Sequence, residues 1–469
     1  MQRHVLIPLI VACALFMENM DSTVLSTSLP AIASDIGENP LALKLALTSY
    51  LISLAIFIPI SGWVADRYGS KKIFAAAICV FLGGSLACAA SGTLTGFVIA
   101  RFVQGMGGAM MVPVGRLVLL KSVPKSELVT ALNYLTVPAL IGPIVGPPLG
   151  GLITQYFNWR GIFLINVPIS ILGLYLVIRH IPDIREEELA PRDLRGFVLL
   201  GFGLALSMFG LSALGGHLMA PAMTGTCMVV GSLLLVAYWR HQAQATTPLI
   251  DLGLAKLPTF NAGVVGGSLF RIGMGATPFL LPLLFQLGFG LDPFHSGLIT
   301  CTAAIGAMFM KTLTVRILRR YGFRRVMMVN GLLASVSVAA YGLFTVSTPL
   351  PLVIATLMIT GCLRSLHFTT LSAISFAEVG REKMSPAAAA QSMSQRLTQS
   401  LGVAIGAYAL ELSARVHGHD EVVAADFWPA FVVIAAIAAS SIRSAARMPP
   451  DAGAEIAGRP ARSGSNIED

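Results

Sequence analysis

Two carboxylates interrupt the first apolar stretch of the sequence. Glu18 and Asp21 are three residues apart, so a helix places them on one face. Burial away from water and repulsion between two negative charges each favour the protonated form of a carboxyl group. A group of this kind can bind a proton from one side of a membrane and release it on the other. Alternatively, one or both could lie at the wet outer end of the helix and only cap or orient it.

Cations also occur within apolar stretches. A guanidinium in hydrocarbon is costly, so Arg101 needs a partner or a wet cavity, unless it lies at the outer edge and reaches water. Later stretches contain Arg271, Lys311, Arg364, His367 and Arg396. Because uncompensated cations at depth line hydrated paths, this set predicts a possible substrate path and favours an anionic substrate. Lys311 could instead extend toward the cytoplasm, and Arg396 could lie near the start of its helix.

Membrane-spanning helices must position these residues. The chain is 55% hydrophobic and 12% charged with a mean hydropathy of +0.77, whereas soluble domains are roughly 25% charged. A helix needs about 20 apolar residues to cross the hydrocarbon, and backbone groups in lipid must pair within the segment. We predict about fourteen spans, near residues 5–25, 45–65, 73–91, 95–120, 131–154, 161–181, 196–214, 221–239, 260–287, 296–318, 326–346, 349–376, 392–413 and 427–445.

The net charge is +9, and the distribution of the basic residues along the chain indicates its topology in the membrane. The predicted outer loops contain Lys44, Arg160 and Arg415, whereas most of the 32 lysines and arginines fall in the predicted inner loops. This asymmetry places both termini in the cytoplasm and argues against a nucleic-acid partner. The six cysteines lie in apolar segments without a CxxC pair, and the eight histidines show no ligand spacing. We therefore expect no metal and no cofactor.

A repeat divides the chain. Residues 66–72 (DRYGSKK) follow the second span, and the similar residues 319–325 (RRYGFRR) follow the tenth. Two polar interruptions, 182–195 and 240–256, bracket the seventh and eighth spans. The predicted domains are a six-helix bundle (1–185), linkers with two inserted helices (186–258), a second six-helix bundle (259–445) and a disordered cytoplasmic tail (446–469). Such parallel halves place a substrate site between them near the midplane.

The turn after the second span resembles the loop signature of the major facilitator superfamily, which combines glycines, an aspartate-arginine pair and two basic residues. The matching positions are Gly62, Asp66, Arg67, Gly69, Lys71 and Lys72. The resemblance implies a cytoplasmic latch that favours the outward-facing state; a simple basic turn is the alternative. Residues 101–109 (RFVQGMGGA) are similar to the superfamily's buried-arginine motif. That likeness implies that Arg101 tunes a proton-binding carboxylate.

The fifth span resembles the antiporter motif of the superfamily's exporters. Its positions are Gly142, Gly146, Pro147, Gly150 and Gly151. Glycines four residues apart share a helix face, so another helix can pack closely there. A generic close-packing face is the alternative to an exporter motif.

Residues 20–30 (MDSTVLSTSLP) resemble the signature of the fourteen-helix drug:proton antiporters of the EmrB/QacA type. Met20, Ser26, Thr27 and Ser28 depart from the usual residues, whereas Asp21, Thr23, Val24, Leu29 and Pro30 match. Trp159, Arg160 and residues 163–168 (FLINVP) also fit that family.

The expected function is proton-coupled efflux of small molecules, most simply of many drugs, from a bacterial cytoplasmic (inner) membrane. Asp21, Glu18 and Arg101 are the predicted proton-coupling residues. An exporter of an organic anion or metal chelate is the alternative, and the antiporter motif argues against an importer. Short loops leave no room for an enzyme domain. Expected partners are the substrate, protons and lipid, and an outer-membrane efflux partner stays an open question.

Overall fold

The computed structural model describes residues 3–122, 128–183, 185, 193–214, 220–245, 248–380, 383–419, 421–449 and 451–454. Within these residues the chain is helical and contains no strand. Fourteen long helices account for most of it, in agreement with the predicted all-helical membrane fold.

The helices are α1 (Arg3–Val24), α2 (Lys44–Tyr68), α3 (Ser70–Ala90), α4 (Leu94–Ser122), α5 (Leu128–Tyr156), α6 (Asn166–His180), α7 (Leu194–Ser212), α8 (Pro221–Gln242), α9 (Pro258–Gly288), α10 (Pro293–Tyr321), α11 (Phe323–Tyr341), α12 (Leu350–Ile374), α13 (Met384–His417) and α14 (Phe427–Ser440). Short helices, Leu29–Ile36 and Gly161–Leu164, lie in the loops before α2 and α6. α9 contains two π-helical segments, Asn261–Gly266 and Leu284–Gly288.

Length and hydropathy qualify twelve helices among the described residues as membrane spans. The remaining two long helices, α5 and α13, pack among them. The chain is therefore a multi-pass membrane protein. Every predicted span coincides with one of the fourteen helices, although α13 is longer at both ends than its apolar stretch of 392–413.

The sequence repeat corresponds to a structural repeat. α2 ends at Tyr68 and α10 at Tyr321, and each is followed by a glycine with positive φ, 98° at Gly69 and 76° at Gly322. Only glycine adopts such angles without steric cost, so it permits the tight turn into α3 or α11.

The packing separates two sets of helices. α1 packs against α4, α5 and α6, while α2 packs against α4. In the second set, α9 packs against α13 and α14, α10 against α12, and α11 against α12 and α14. The two sets meet where α5 contacts α10 and where α2 contacts α13. α7 and α8 pair with each other, and α7 also packs against α2.

Two details differ from the sequence analysis. Lys44, assigned to an outer loop, is the first residue of α2 and is buried. The tail predicted to be disordered from residue 446 begins with packed residues: Met448 is buried, and Arg324 donates a hydrogen bond to the carbonyl oxygen of Ala446. Residues 455–469 lie outside the described part of the chain.

Candidate functional site

Asp21 is the centre of a buried polar network within the first six helices. Arg101 Nη1 donates to Asp21 Oδ2 at 2.6 Å. Gln104 Nε2 and Asn166 Nδ2 donate to Asp21 Oδ1 at 2.8 and 3.1 Å. The same two amides donate to Ser85 Oγ, which links α3 to α4 and α6. These hydrogen bonds hold Asp21 of α1 to side chains of α4 and α6.

Arg101 is fully buried, with 0% exposure. Besides Asp21, its Nη1 donates to Gln104 Oε1 at 2.6 Å, and its Cζ lies 4.3 Å from the centroid of the Tyr50 ring. The ring supplies a cation–π contact that partly replaces water. This geometry contradicts the alternative that Arg101 reaches water at the edge of the membrane.

Glu18 joins the two sets of helices. Its Oε1 accepts a hydrogen bond from Arg396 Nη2 of α13 at 2.7 Å. The Glu18 side chain is 3% exposed and that of Arg396 is 23% exposed, so Glu18 is buried while its partner is partly accessible. Among the described residues, Glu18 therefore has one charged partner across the bundle interface, whereas Asp21 has three donors within its own bundle.

These pairs correct two expectations from the sequence. Glu18 and Asp21 were expected to act on each other mainly by repulsion, but each carboxylate pairs with a different arginine. Arg396 is not an uncompensated cation, because it neutralises Glu18.

Among three further residues of the predicted substrate path, His367 contacts Phe270, the chain neighbour of Arg271, whereas Lys311 lies on α10. Arg271 is buried in α9, where Nη1 donates to the carbonyl oxygen of Gly263 at 3.0 Å. His367 is buried in α12 and stacks on Phe270 with ring centroids 3.8 Å apart. Lys311 is exposed on α10 and donates to Thr369 Oγ1 at 2.9 Å.

A cavity of about 90 Å³ lies between the two sets of helices. Its walls come from α1, α5, α9, α10, α11 and α12, and they include Thr23, Pro147, Thr277 and Tyr341. Arg364 is the charged residue among the described residues that line it. Of the predicted substrate-path residues, only Arg364 belongs to this described lining.

The latch residues surround the turn between α2 and α3. The guanidinium of Arg67 lies over the rings of Trp63 and Tyr68, 5.1 and 5.6 Å from their centroids. A Cβ at Gly69 would collide with the side chain of Asp183, which lies beyond α6. Lys72 is exposed and Lys71 and Asp66 are partly exposed.

The glycines of α5 face α1, as their spacing predicts. A Cβ at Gly142 would lie 3.1 Å from the backbone nitrogen of Met20. A Cβ at Gly146 or Gly150 would collide with Thr23 or with the carbonyl oxygen of Val24. Gly151, on the other face, lies against the backbone of Pro293 in α10. α5 is thus in close contact with both sets of helices.

Two ion pairs lie near the ends of helices on the predicted outer side. Buried Lys44 Nζ lies 3.6 Å from Glu411 Oε2 of α13 and donates to the carbonyl oxygen of Leu214. The side chains of Arg160 and Trp159 each donate a hydrogen bond to Asp35. These bonds lower the pKa of Asp35, and the bond from Arg160 has the larger effect. Asp35 is thus the hydrogen-bond partner of both residues of the Trp159–Arg160 pair that precedes α6.

Several members of the Asp21 network were not predicted from the sequence. Ser85 was not singled out, and Gln104 and Asn166 appeared only as parts of family motifs. Each is a polar residue inside an apolar stretch, and this signal could have identified them, since buried polar side chains need partners.

The fold and the site together define a class of protein. Two sets of helices that share buried ion pairs and enclose a cavity at their interface form the architecture of secondary membrane transporters. A family model described as Major Facilitator Superfamily matches residues 11–407 and 263–460. The chain belongs to this superfamily, which confirms the resemblance of the loop motif.

Similar proteins agree with this assignment. The chain is 36% identical over 450 residues to a protein named MdtD from Pectobacterium atrosepticum, covering 94% of this chain and 95% of the relative. An MdtD from Escherichia coli is 37% identical over 414 residues, covering 87% and 86%. Both names assign the relatives to multidrug resistance.

Solved structures support the fold alone. The POT family transporter PepTSo has a TM-score of 0.68 at 14% identity, covering 95% of this chain and 99% of that chain. A D-xylose-proton symporter has a TM-score of 0.66 at 13% identity, covering 96% and 98%.

Proposed function

We propose that the chain exports small molecules in exchange for protons and acts as a multidrug efflux transporter. Relatives whose names assign them to multidrug resistance match nearly the whole chain. The observation that carries proton coupling is the pair of buried acids in α1, one held by an arginine within its own bundle and one held across the bundles.

Asp21 is the proposed primary proton site. Protonation removes its charge attraction to Arg101, whose guanidinium keeps the hydrogen bond to Gln104 and the contact with the Tyr50 ring. Arg101 thus remains partly satisfied in both states of the carboxyl group, which a reversible proton site requires. Its position 2.6 Å from Asp21 also lets it tune how tightly the proton is held.

Glu18 is the proposed link between protonation and opening. Its bond to Arg396 joins α1 to α13, so neutralising Glu18 weakens a contact between the two bundles. A protein with two conformations responds to whatever binds one of them better. A proton on Glu18 therefore favours the conformation in which α1 and α13 are separated.

The test uses purified protein in vesicles with an imposed pH gradient and a panel of cationic dyes and anionic metabolites. Asp21→Asn should abolish proton-driven transport while the protein stays in the membrane. Glu18→Gln should reduce the dependence of transport on the gradient. Asp35→Asn is the matched control, because Asp35 also pairs with an arginine but is exposed.

Transport by Asp21→Asn at the wild-type rate would refute the proposed proton site. A loss of transport in Asp35→Asn as large as in Asp21→Asn would show that removing any paired aspartate harms the protein.

Export of an organic anion or metal chelate is the second candidate function. It is favoured by Arg364, which lines the cavity and forms no ion pair with the described residues. Arg364→Gln should then weaken counterflow of a labelled anion but not of a cationic dye. Equal effects on both substrates would contradict an anion-specific role.

We infer that the chain lies in the bacterial cytoplasmic membrane with both termini in the cytoplasm. The basic turns after α2 and α10 then face the cytoplasm, where the motif around Asp66 and Arg67 acts as a latch. In a cysteine-free background, a cysteine at exposed Gly92 should react with an impermeant thiol reagent in intact cells, whereas one at Lys72 should not. The reverse pattern would overturn this orientation.

A further inference from the structure

Two histidines and one aspartate meet where α13 ends and α14 begins. His417 is the last residue of α13, His419 follows the Gly418 cap, and Asp426 lies directly before α14. The Nδ1 atoms of His417 and His419 lie 3.2 and 3.0 Å from Asp426 Oδ1. One ligand atom from each of the three side chains lies within 4.8 Å of the others. The spacing of the histidines along the sequence did not predict a ligand set, because Asp426 meets them only in the folded chain.

Asp426 is an unusual member of this cluster, since it has 0% exposure. Apart from the imidazoles, its hydrogen-bond partner is the backbone N–H of Val423 at 3.0 Å. Within the described part of the chain, no lysine or arginine forms an ion pair with it. A buried carboxylate is costly unless a positive charge lies beside it. A cation held between the three side chains would supply the missing charge.

We propose that His417, His419 and Asp426 form a binding site for a divalent transition-metal ion such as Zn²⁺. In a tetrahedral zinc site, bonds of about 2.0–2.1 Å separate the ligand atoms by about 3.3 Å. The observed separations of 3.0 and 3.2 Å require only a small expansion to admit the ion. Imidazole with carboxylate favours zinc, nickel or copper over magnesium or calcium.

The surroundings allow the ion to reach the site. The side chains of His417 and His419 are 49% and 36% exposed, which leaves an access path and room for water as a further ligand. Each imidazole can turn its proton to the solvent-facing nitrogen and offer Nδ1 to the metal. Coordination would tie the end of α13 to the start of α14. α13 also carries Arg396 and Glu411, so the ion would restrain a helix that contacts the other bundle.

The experiment measures Zn²⁺ binding to the purified full-length protein, carrying an affinity tag without histidine, by competition with a chromophoric chelator. Wild type should bind one equivalent. His417→Ala and His419→Ala should each weaken binding by about 100-fold, because each removes a ligand. His295→Ala is the matched control: His295 pairs with Asp292 at another loop but belongs to a two-residue pair.

Absence of stoichiometric binding, or unchanged binding in His419→Ala, would overturn the proposal and leave a hydrogen-bonded histidine pair that only positions α14. Displacement of Zn²⁺ by equimolar Ca²⁺ or Mg²⁺ would also contradict it. Zn²⁺ binding is measured independently of transport. The proposed metal site can therefore be refuted while the proposed efflux function stands, and the efflux function can be refuted while the metal site stands.

Discussion

Replacing Gly105 with alanine tests the close contact between α4 and α2 next to the Asp21 network. A Cβ at this position would lie 2.8 Å from the carbonyl oxygen of Tyr50 and 2.7 Å from Ser53 Cβ. Ordinary contact begins at 3.4 Å, so the two helices must separate by about 0.7 Å to relieve the closer of these contacts. Overpacking of this kind costs about 1–3 kcal/mol. The ring of Tyr50 covers Arg101, so the same shift disturbs the buried charge pair.

Gly83→Ala is the matched control. Gly83 lies inside α3 with nothing within 4 Å of its added Cβ, and both substitutions gain about the same helix propensity, near 1 kcal/mol. The difference in stability between the two variants therefore reports the packing cost at Gly105 alone. We expect Gly105→Ala to have the lower apparent melting temperature in detergent, followed with a thiol-reactive dye, and the slower proton-driven efflux. If Gly105→Ala is as stable and as active as Gly83→Ala, the close contact does not support the site.

Further predictions concern two ion pairs. Glu411→Gln should lower the melting temperature more than Lys44→Met does. The first substitution leaves the buried ammonium of Lys44 without its carboxylate, whereas the second leaves Glu411 paired with Arg415. A larger decrease in Lys44→Met would contradict this reasoning. The hydrogen bond from Lys383 lowers the pKa of Asp251, and Asp251 raises the pKa of Lys383. The aspartate's contribution to stability is present above its ordinary pKa of 3.8 and is lost as pH falls through the lowered value. The lysine's contribution is present below 10.5 and is lost as pH rises through the raised value. The stability difference between wild type and Lys383→Met should therefore stay constant between about pH 5 and pH 9, and a difference that changes within that window would refute the assignment.

The helices were predictable because each span carries its own signal. About 20 apolar residues must become a helix in lipid whatever surrounds them, so composition located all fourteen. The glycine after Tyr68 and that after Tyr321 predicted matching turns for the same local reason, since the backbone there needs positive φ.

The partners of the buried charges were not predictable in this way. Asp21 and Glu18 share a helix face, and spacing alone suggested that they repel each other. Arg101 and Arg396 approach them from different helices, and neither contact leaves a mark on the local sequence.

The amino-acid sequence by itself determined which segments cross the membrane, where the tight turns fall and which acids and cations must be buried, because these depend on short-range composition and backbone geometry. Only the tertiary structure decided which arginine faces which acid, that Arg364 lines a cavity while Lys311 does not, and that Asp426 meets two histidines. Those outcomes depend on how separately formed helices pack, and the free energy of that packing is shared among residues far apart in the chain.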